Sequence, residues 1–217
     1  MIVDKMSLLE VAAELLGDFK NEVIARMERK LGDNKYRRYV LKFGKCGKTI
    51  YFKPFNITTK RLNKFIILPF CHGKSDYKKF GMAFAVMLMF YRKGYPYVAW
   101  ITDDGSSVIF FQKHFFERYN ERFAQGDVDY SESFILDFLK RNMLVYMGSQ
   151  YEDGSNNVMG VSTDGVLLGE KLSPSVTKYN TYISIDMLKG SQIEQHRQMY
   201  EKLLDYIREL KKVGLAA

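Results

Sequence analysis

Cysteine is nearly absent from the 217-residue sequence, which holds only Cys46 and Cys71. Two are too few for a disulfide framework or a cysteine zinc site, and neither sits in a C-x-x-C pair. This usage fits a reducing compartment, and a single bridge between Cys46 and Cys71 stays open. Histidine is equally sparse: His72, His114 and His196 have no mutual ligand spacing, so neither a metal centre nor a cofactor is expected. The four prolines and sixteen glycines form no linker-like tract. The longest apolar run, Phe80 to Tyr91, is too short to cross a bilayer, which takes about 20 residues. Asp4, Lys5 and Glu10 stand where a secretory leader would need apolar residues. A soluble, cytoplasmic protein with no membrane partner is therefore expected. Catalytic signatures are lacking too. There is no G-x-S-x-G elbow, and Gly44-Lys45-Cys46-Gly47-Lys48-Thr49 lacks the leading glycine of a phosphate-binding loop.

The most informative absence is one of sign. Between Asn34 and Ser75 there is no Asp or Glu, against eleven Lys or Arg, whereas Met1 to Asp33 carries seven acids and five bases. That one segment accounts for more than the whole net charge of +8. An anionic partner is implied, with RNA or another nucleic acid first among the choices. What the chain does have is apolar and aromatic mass. Hydrophobic residues make up 47% and aromatic residues 15% of it, enough for a sizeable core without staples.

Periodicity gives the elements. Leu8, Leu9, Ala12, Leu15, Leu16, Phe19, Val23, Ile24 and Met27 follow a helical spacing over residues 5–31. Tyr36–Phe43 and Lys48–Lys53 read as strands around a Gly44–Gly47 loop, and Lys64–Phe70 as a third strand. Ser75 or Asp76 then caps a buried helix running to Arg92. Tyr97–Thr102 and Val108–Phe111 read as a hairpin, followed by helices over about 112–124 and 131–142. Leu144–Gly148 is a short strand. Asn157–Ser162 and Val166–Lys171 form a hairpin closed by Thr163-Asp164-Gly165. Tyr179–Ser184 is a last strand and Gln192–Val213 a long helix. The expected fold is α+β, a largely antiparallel β-sheet with N-terminal, central and C-terminal helices packed on it. One domain over 1–217 is preferred, with a weak boundary near Gly94 or Gly126. The C-terminal helix, apolar on one face, either closes the core or forms the seam of a homodimer.

Two constellations carry chemistry. In the helix from Gln112, His114, Arg118 and Arg122 lie four apart on one stripe, beside Phe115, Tyr119 and Phe123. An imidazole next to two guanidinium groups suits phosphodiester chemistry, as acid or base with cations holding the phosphate. The plainer alternative is a solvated helix face in which Glu117 and Glu121 pair with Lys113, Arg118 or Arg122. The second constellation is the acid-free segment. Tyr36, Tyr39, Phe43, Tyr51 and Phe52 alternate with Arg37, Arg38, Lys42, Lys45, Lys48 and Lys53, and Lys60 and Arg61 follow. Single-strand binders combine cations along the backbone with aromatic platforms for bases. The plainer alternative is a strand with basic residues on its wet face.

The succession from Val108 to Gln192 resembles the ribonuclease superfamily of barnase, EndoU, colicin and RelE toxins, in its phage-associated form. The shared features are a strand, a helix with His-x-x-x-Arg-x-x-x-Arg, a D-G hairpin and a strand bearing Thr181 and Ser184. The resemblance implies a metal-independent endoribonuclease on an antiparallel sheet. His114, Arg118 and Arg122 would line its site, and Thr181 or Ser184 would add a polar group. The rival reading is a non-catalytic interaction or structural protein.

Overall fold

Ser7 starts the N-terminal helix by a reciprocal cap. Its hydroxyl accepts from the Glu10 amide at 3.2 Å, and the Glu10 carboxylate accepts from the Ser7 amide at 2.7 Å. In the computed structural model, which describes residues 1–43, 49–102, 104–124, 126, 131–142, 146–150 and 155–212, this opens α1 (Leu8–Asp18). A π-helical turn over Phe19–Val23 leads into α2 (Ile24–Leu31). Val11, Leu15, Phe19, Val23 and Met27 form the buried stripe of this helical run, as their spacing predicts.

The next ten residues correct the strand expected over Tyr36–Phe43: they form α3 (Asn34–Phe43). The Asp33 carboxylate accepts from the Lys35 amide at 3.0 Å and the Asp33 carbonyl from the Tyr36 amide at 3.1 Å, so helix starts at once. Tyr36 and Val40 are buried four apart, while Arg37, Arg38, Tyr39 and Lys42 are exposed. Arg, Lys and Leu favour helix, and Val40 is the one β-branched residue in the run. The two-residue alternation of bases and apolar residues was equally compatible with a four-residue buried stripe.

The described chain divides into two compact units. The first comprises residues 1–89, 100–108 and 206–217, the second 90–99 and 109–205. In the first unit, β3 (Lys64–Cys71) pairs along one edge with β1 (Ile50–Tyr51) and β2 (Phe55–Thr58), and along the other with β4 (Ala83–Arg92). All three pairings are antiparallel. β4 is the second correction. A helix was expected from Ser75 to Arg92, but α4 (Lys74–Phe80) stops at Gly81, whose φ of 81° helix cannot continue. The apolar run then lies beside β3, with Phe65 opposite Leu88 and Ile67 opposite Val86. Ala85, Val86, Met87 and Leu88 are all buried, so both faces of the strand are covered. Such a strand has no polar alternation to tell it from a buried helix.

In the second unit the strand order is β5 (Tyr95–Ile101), β6 (Val108–Gln112), β10 (Val176–Ile183), β9 (Val166–Ser173), β8 (Asn157–Val161), β7 (Tyr146–Gln150). The pairs β10/β9, β9/β8 and β8/β7 are antiparallel. α5 (Lys113–Tyr119), extended by a π-helical turn to Ala124, follows β6, and α6 (Glu132–Arg141) follows in turn. Phe111, Phe115, Phe116 and Phe138 pack with Tyr119, Tyr179 and Tyr182 as the aromatic core of this unit. α7 (Ser191–Lys212) is the long C-terminal helix. The fold class is α+β, with antiparallel strands and helices at the N-terminus, centre and C-terminus. Among the described residues no helix is long and apolar enough to cross a membrane.

Candidate functional site

α3 turns the acid-free segment into a surface with a definite face. Lys35, Arg38, Tyr39 and Lys42 occupy positions i, i+3, i+4 and i+7, which lie together on a helix. All four are exposed, Tyr39 at 47%. Beside this face lies a pocket of about 490 Å³ lined by Lys30, Lys35, Tyr36, Tyr39, Phe52, Lys53, Pro54 and Phe55. Three lysines and four aromatic rings therefore surround it, with no carboxylate in the lining. Tyr36 and Tyr39 meet the Phe52 ring at 77° and 68°, with centroids 5.1 and 5.3 Å away. The Lys30 ammonium sits over the Phe55 ring, 3.9 Å from its centroid. Asp33 is the nearest acid in sequence. It bonds the Lys35 amide and lies 3.5 Å from the Lys35 ammonium. The Lys35 amide and charge hold the Asp33 carboxyl below its usual range.

The remaining candidates of the basic segment are placed differently. Lys45 and Lys48 lie outside the described residues. Lys60 and Arg61 sit in the turn between β2 and β3, against the acids of the N-terminal helices. The Arg61 Nε is 3.7 Å from the Asp18 carboxylate, and the Lys60 amide donates to Glu22 at 3.1 Å. Asp18, buried, also accepts from Thr59 at 2.7 Å and from Asn63 at 2.8 Å. This turn is a clamp onto α1, and Arg61 serves it. Cys71 is buried, its thiol donating to the Gly73 carbonyl at 3.0 Å, while Cys46 lies outside the described residues.

The His114 stripe is on α5, as its spacing requires. His114 is exposed and lines a pocket of about 330 Å³ with Tyr95, Tyr97, Gln112, Lys113 and Glu117. Its Nδ1 is 3.4 Å from Glu117, and Arg118 Nε donates to its Nε2 at 3.4 Å. Arg118 also pairs with Glu121 at 2.6 Å, and Lys113 with Glu117 at 3.2 Å. Arg122 donates to the Tyr182 carbonyl. Thr181 lines a different pocket, of about 750 Å³, with Asn157, Asn180 and residues 189–192 at the start of α7. Ser184 hydrogen-bonds the Asp186 carboxylate and helps hold it below its ordinary range. The structure thus gathers His114, Arg118 and Arg122 on one helix and puts Thr181 in another pocket.

A further cluster had no signal beyond the D-G turn. Asp164, its side chain 3% exposed, accepts from Tyr119 at 2.9 Å, from Asn142 at 3.0 Å, and from Arg141 twice at 3.0 Å. Tyr182 donates to the Asp164 carbonyl. Burial alone pushes the Asp164 carboxyl up, but the bonds from Arg141, Asn142 and Tyr119 outweigh it and hold the group low. Among the described residues no group of three or more His, Cys, Asp or Glu is placed to hold a metal ion. Compared with protein-family models, with curated proteins and with solved structures, the chain matches none.

Proposed function

We propose that the protein binds single-stranded nucleic acid through the exposed face of α3. One observation carries this reading: Lys35, Arg38, Tyr39 and Lys42 share that face in a segment without a single acid. Cations spaced along a helix follow a phosphate backbone, and an exposed tyrosine between them offers a surface to an unstacked base. The test is titration of labelled RNA and DNA oligonucleotides over a range of salt. Four phosphate contacts, from Lys35, Arg38, Lys42 and Lys53, give a log–log slope of about −3 for a single strand. Arg38→Ala reduces the slope by roughly 0.7. Binding that ignores salt, or that Arg38→Ala and Lys42→Ala leave untouched, overturns the reading.

A second reading, metal-independent cleavage of RNA, is favoured by the open pocket at His114, where a base on Tyr95 or Tyr97 would bring its phosphate to the imidazole. In it, His114 acts as acid or base, and Arg118 and Arg122 exchange Glu121 and the Tyr182 carbonyl for phosphate. Incubation of RNA in EDTA decides it. Cleavage lost in His114→Ala with binding retained supports it, and intact RNA refutes it.

A further inference from the structure

We infer that the pocket beside α3 takes one unpaired nucleobase, with the lysines at its rim holding the adjoining phosphates. This rests on the proposed binding of single strands and adds the point of contact and what that contact reads. The first observation is the pocket's size: about 490 Å³, within the range of roughly 300–1,000 Å³ typical of small-ligand pockets. The second is the arrangement of its rings. Tyr36 and Tyr39 meet Phe52 at steep angles rather than stacking on it, so the three rings form walls of different orientation. A flat ring entering the pocket beside these rings can stack on the half-exposed Tyr39. The third is charge. Lys30, Lys35 and Lys53 stand at the pocket, no carboxylate lines it, and Asp33 outside the lining pairs with Lys35 alone of the three. Lys30 is held over the Phe55 ring, which keeps its ammonium at the wall without a carboxylate to neutralise it.

The chemistry of the occupant follows from those three features together. An apolar ligand would use the rings and leave the lysines idle. A bare anion would use the lysines and leave the rings idle. A nucleotide within a strand uses both. Duplex is disfavoured, because its bases are already stacked and paired and none can enter without being unstacked. The pocket lining offers no side-chain amide or carboxylate, so choice among the bases rests more on stacking than on paired donors and acceptors.

The experiment compares a labelled single-stranded DNA oligonucleotide with one of the same length made of abasic residues, by fluorescence anisotropy at fixed salt. The variants are Tyr39→Ala, Lys53→Ala and, on α3 but outside the pocket lining, Arg38→Ala. The expected result is that intact strand binds the unaltered protein about ten-fold or more tightly than abasic strand. Tyr39→Ala abolishes that preference, and Arg38→Ala weakens both strands alike. Tyr39 is half exposed, so its truncation leaves the core in place, and an unchanged circular dichroism spectrum and melting temperature check this. Equal, salt-sensitive binding of intact and abasic strands overturns the inference while leaving backbone binding by α3 standing. Binding of neither strand overturns both. A polyglutamate peptide that competes as well as intact strand also overturns it, and assigns the pocket to an acidic peptide.

Discussion

Asp164 shows how much one side chain in a tight turn can hold. It sits between β8 and β9, yet it collects hydrogen bonds from α5 through Tyr119 and from the end of α6 through Arg141 and Asn142. Removing it leaves those donors without their acceptor, and Asp164→Ala is expected to cost on the order of 2–3 kcal/mol in chemical denaturation. The pH dependence has a definite sign. A carboxyl held low in the folded state stabilises fully above its unfolded value, about 3.9, and that stability is lost as pH falls through the lower folded value. Acid unfolding monitored from neutral pH downward therefore steepens below about pH 4, and less so in Asp164→Asn. Tyr179 lies at the other extreme. It is fully buried, its hydroxyl has no hydrogen-bond partner among the described residues, and burial pushes its ionisation far up. Tyr179→Phe is expected to keep the ring packing on Phe111 and raise the melting temperature, since it removes an unsatisfied group. A lowered melting temperature would show that the hydroxyl has a partner.

At the scale of elements, legibility followed the kind of signal. α1, α5, α6 and α7 were readable because an apolar stripe repeats every three or four residues, and at α6 Ser131 also marks the start. The Thr163-Asp164-Gly165 turn was readable because its residues favour tight turns. α3 and β4 were not. In α3 the alternation of bases and aromatics fits either period, and only the packing of Tyr36 and Val40 settles it. In β4 a run with both faces buried carries no period. The candidate binding surface was half legible for the same reason. Its composition could be read from residues 34–53, but Lys30 and Phe55 join it only through packing, and Arg61 leaves it for Asp18. β9 adds a prediction of its own. Gly169 faces β10 so closely that a side-chain carbon there would stand 2.8 Å from the Tyr179 Cα and as near to the Lys178 carbonyl carbon. Backbone cannot give way as a flexible side chain does. Gly169→Ala is therefore expected to lower the denaturation midpoint clearly, by about 2 kcal/mol or more.

At the scale of the molecule, charge is sorted along the chain. The acids of the first 33 residues are spent partly on the β2–β3 turn, where Asp18 and Glu22 take Arg61 and the Lys60 amide. The bases of α3 are not drawn into that clamp. A net charge of +8 therefore understates the field over α3 and overstates it elsewhere. Neutralising Lys35, Arg38 and Lys42 together is expected to abolish oligonucleotide binding at physiological salt. Neutralising the exposed Arg197, Lys202 and Arg208 of α7 is expected to change it little, as the same anisotropy titration would show.

The course of the backbone has a consequence for synthesis. The first unit is assembled from three separate stretches, the last of them beginning at residue 206, and the second unit from two. Residues 100–108 of the first unit lie between the two stretches of the second, and the second lies wholly between stretches of the first. A ribosome therefore releases the whole of the second unit before the last stretch of the first, so the unit begun first is not the one that can be finished first.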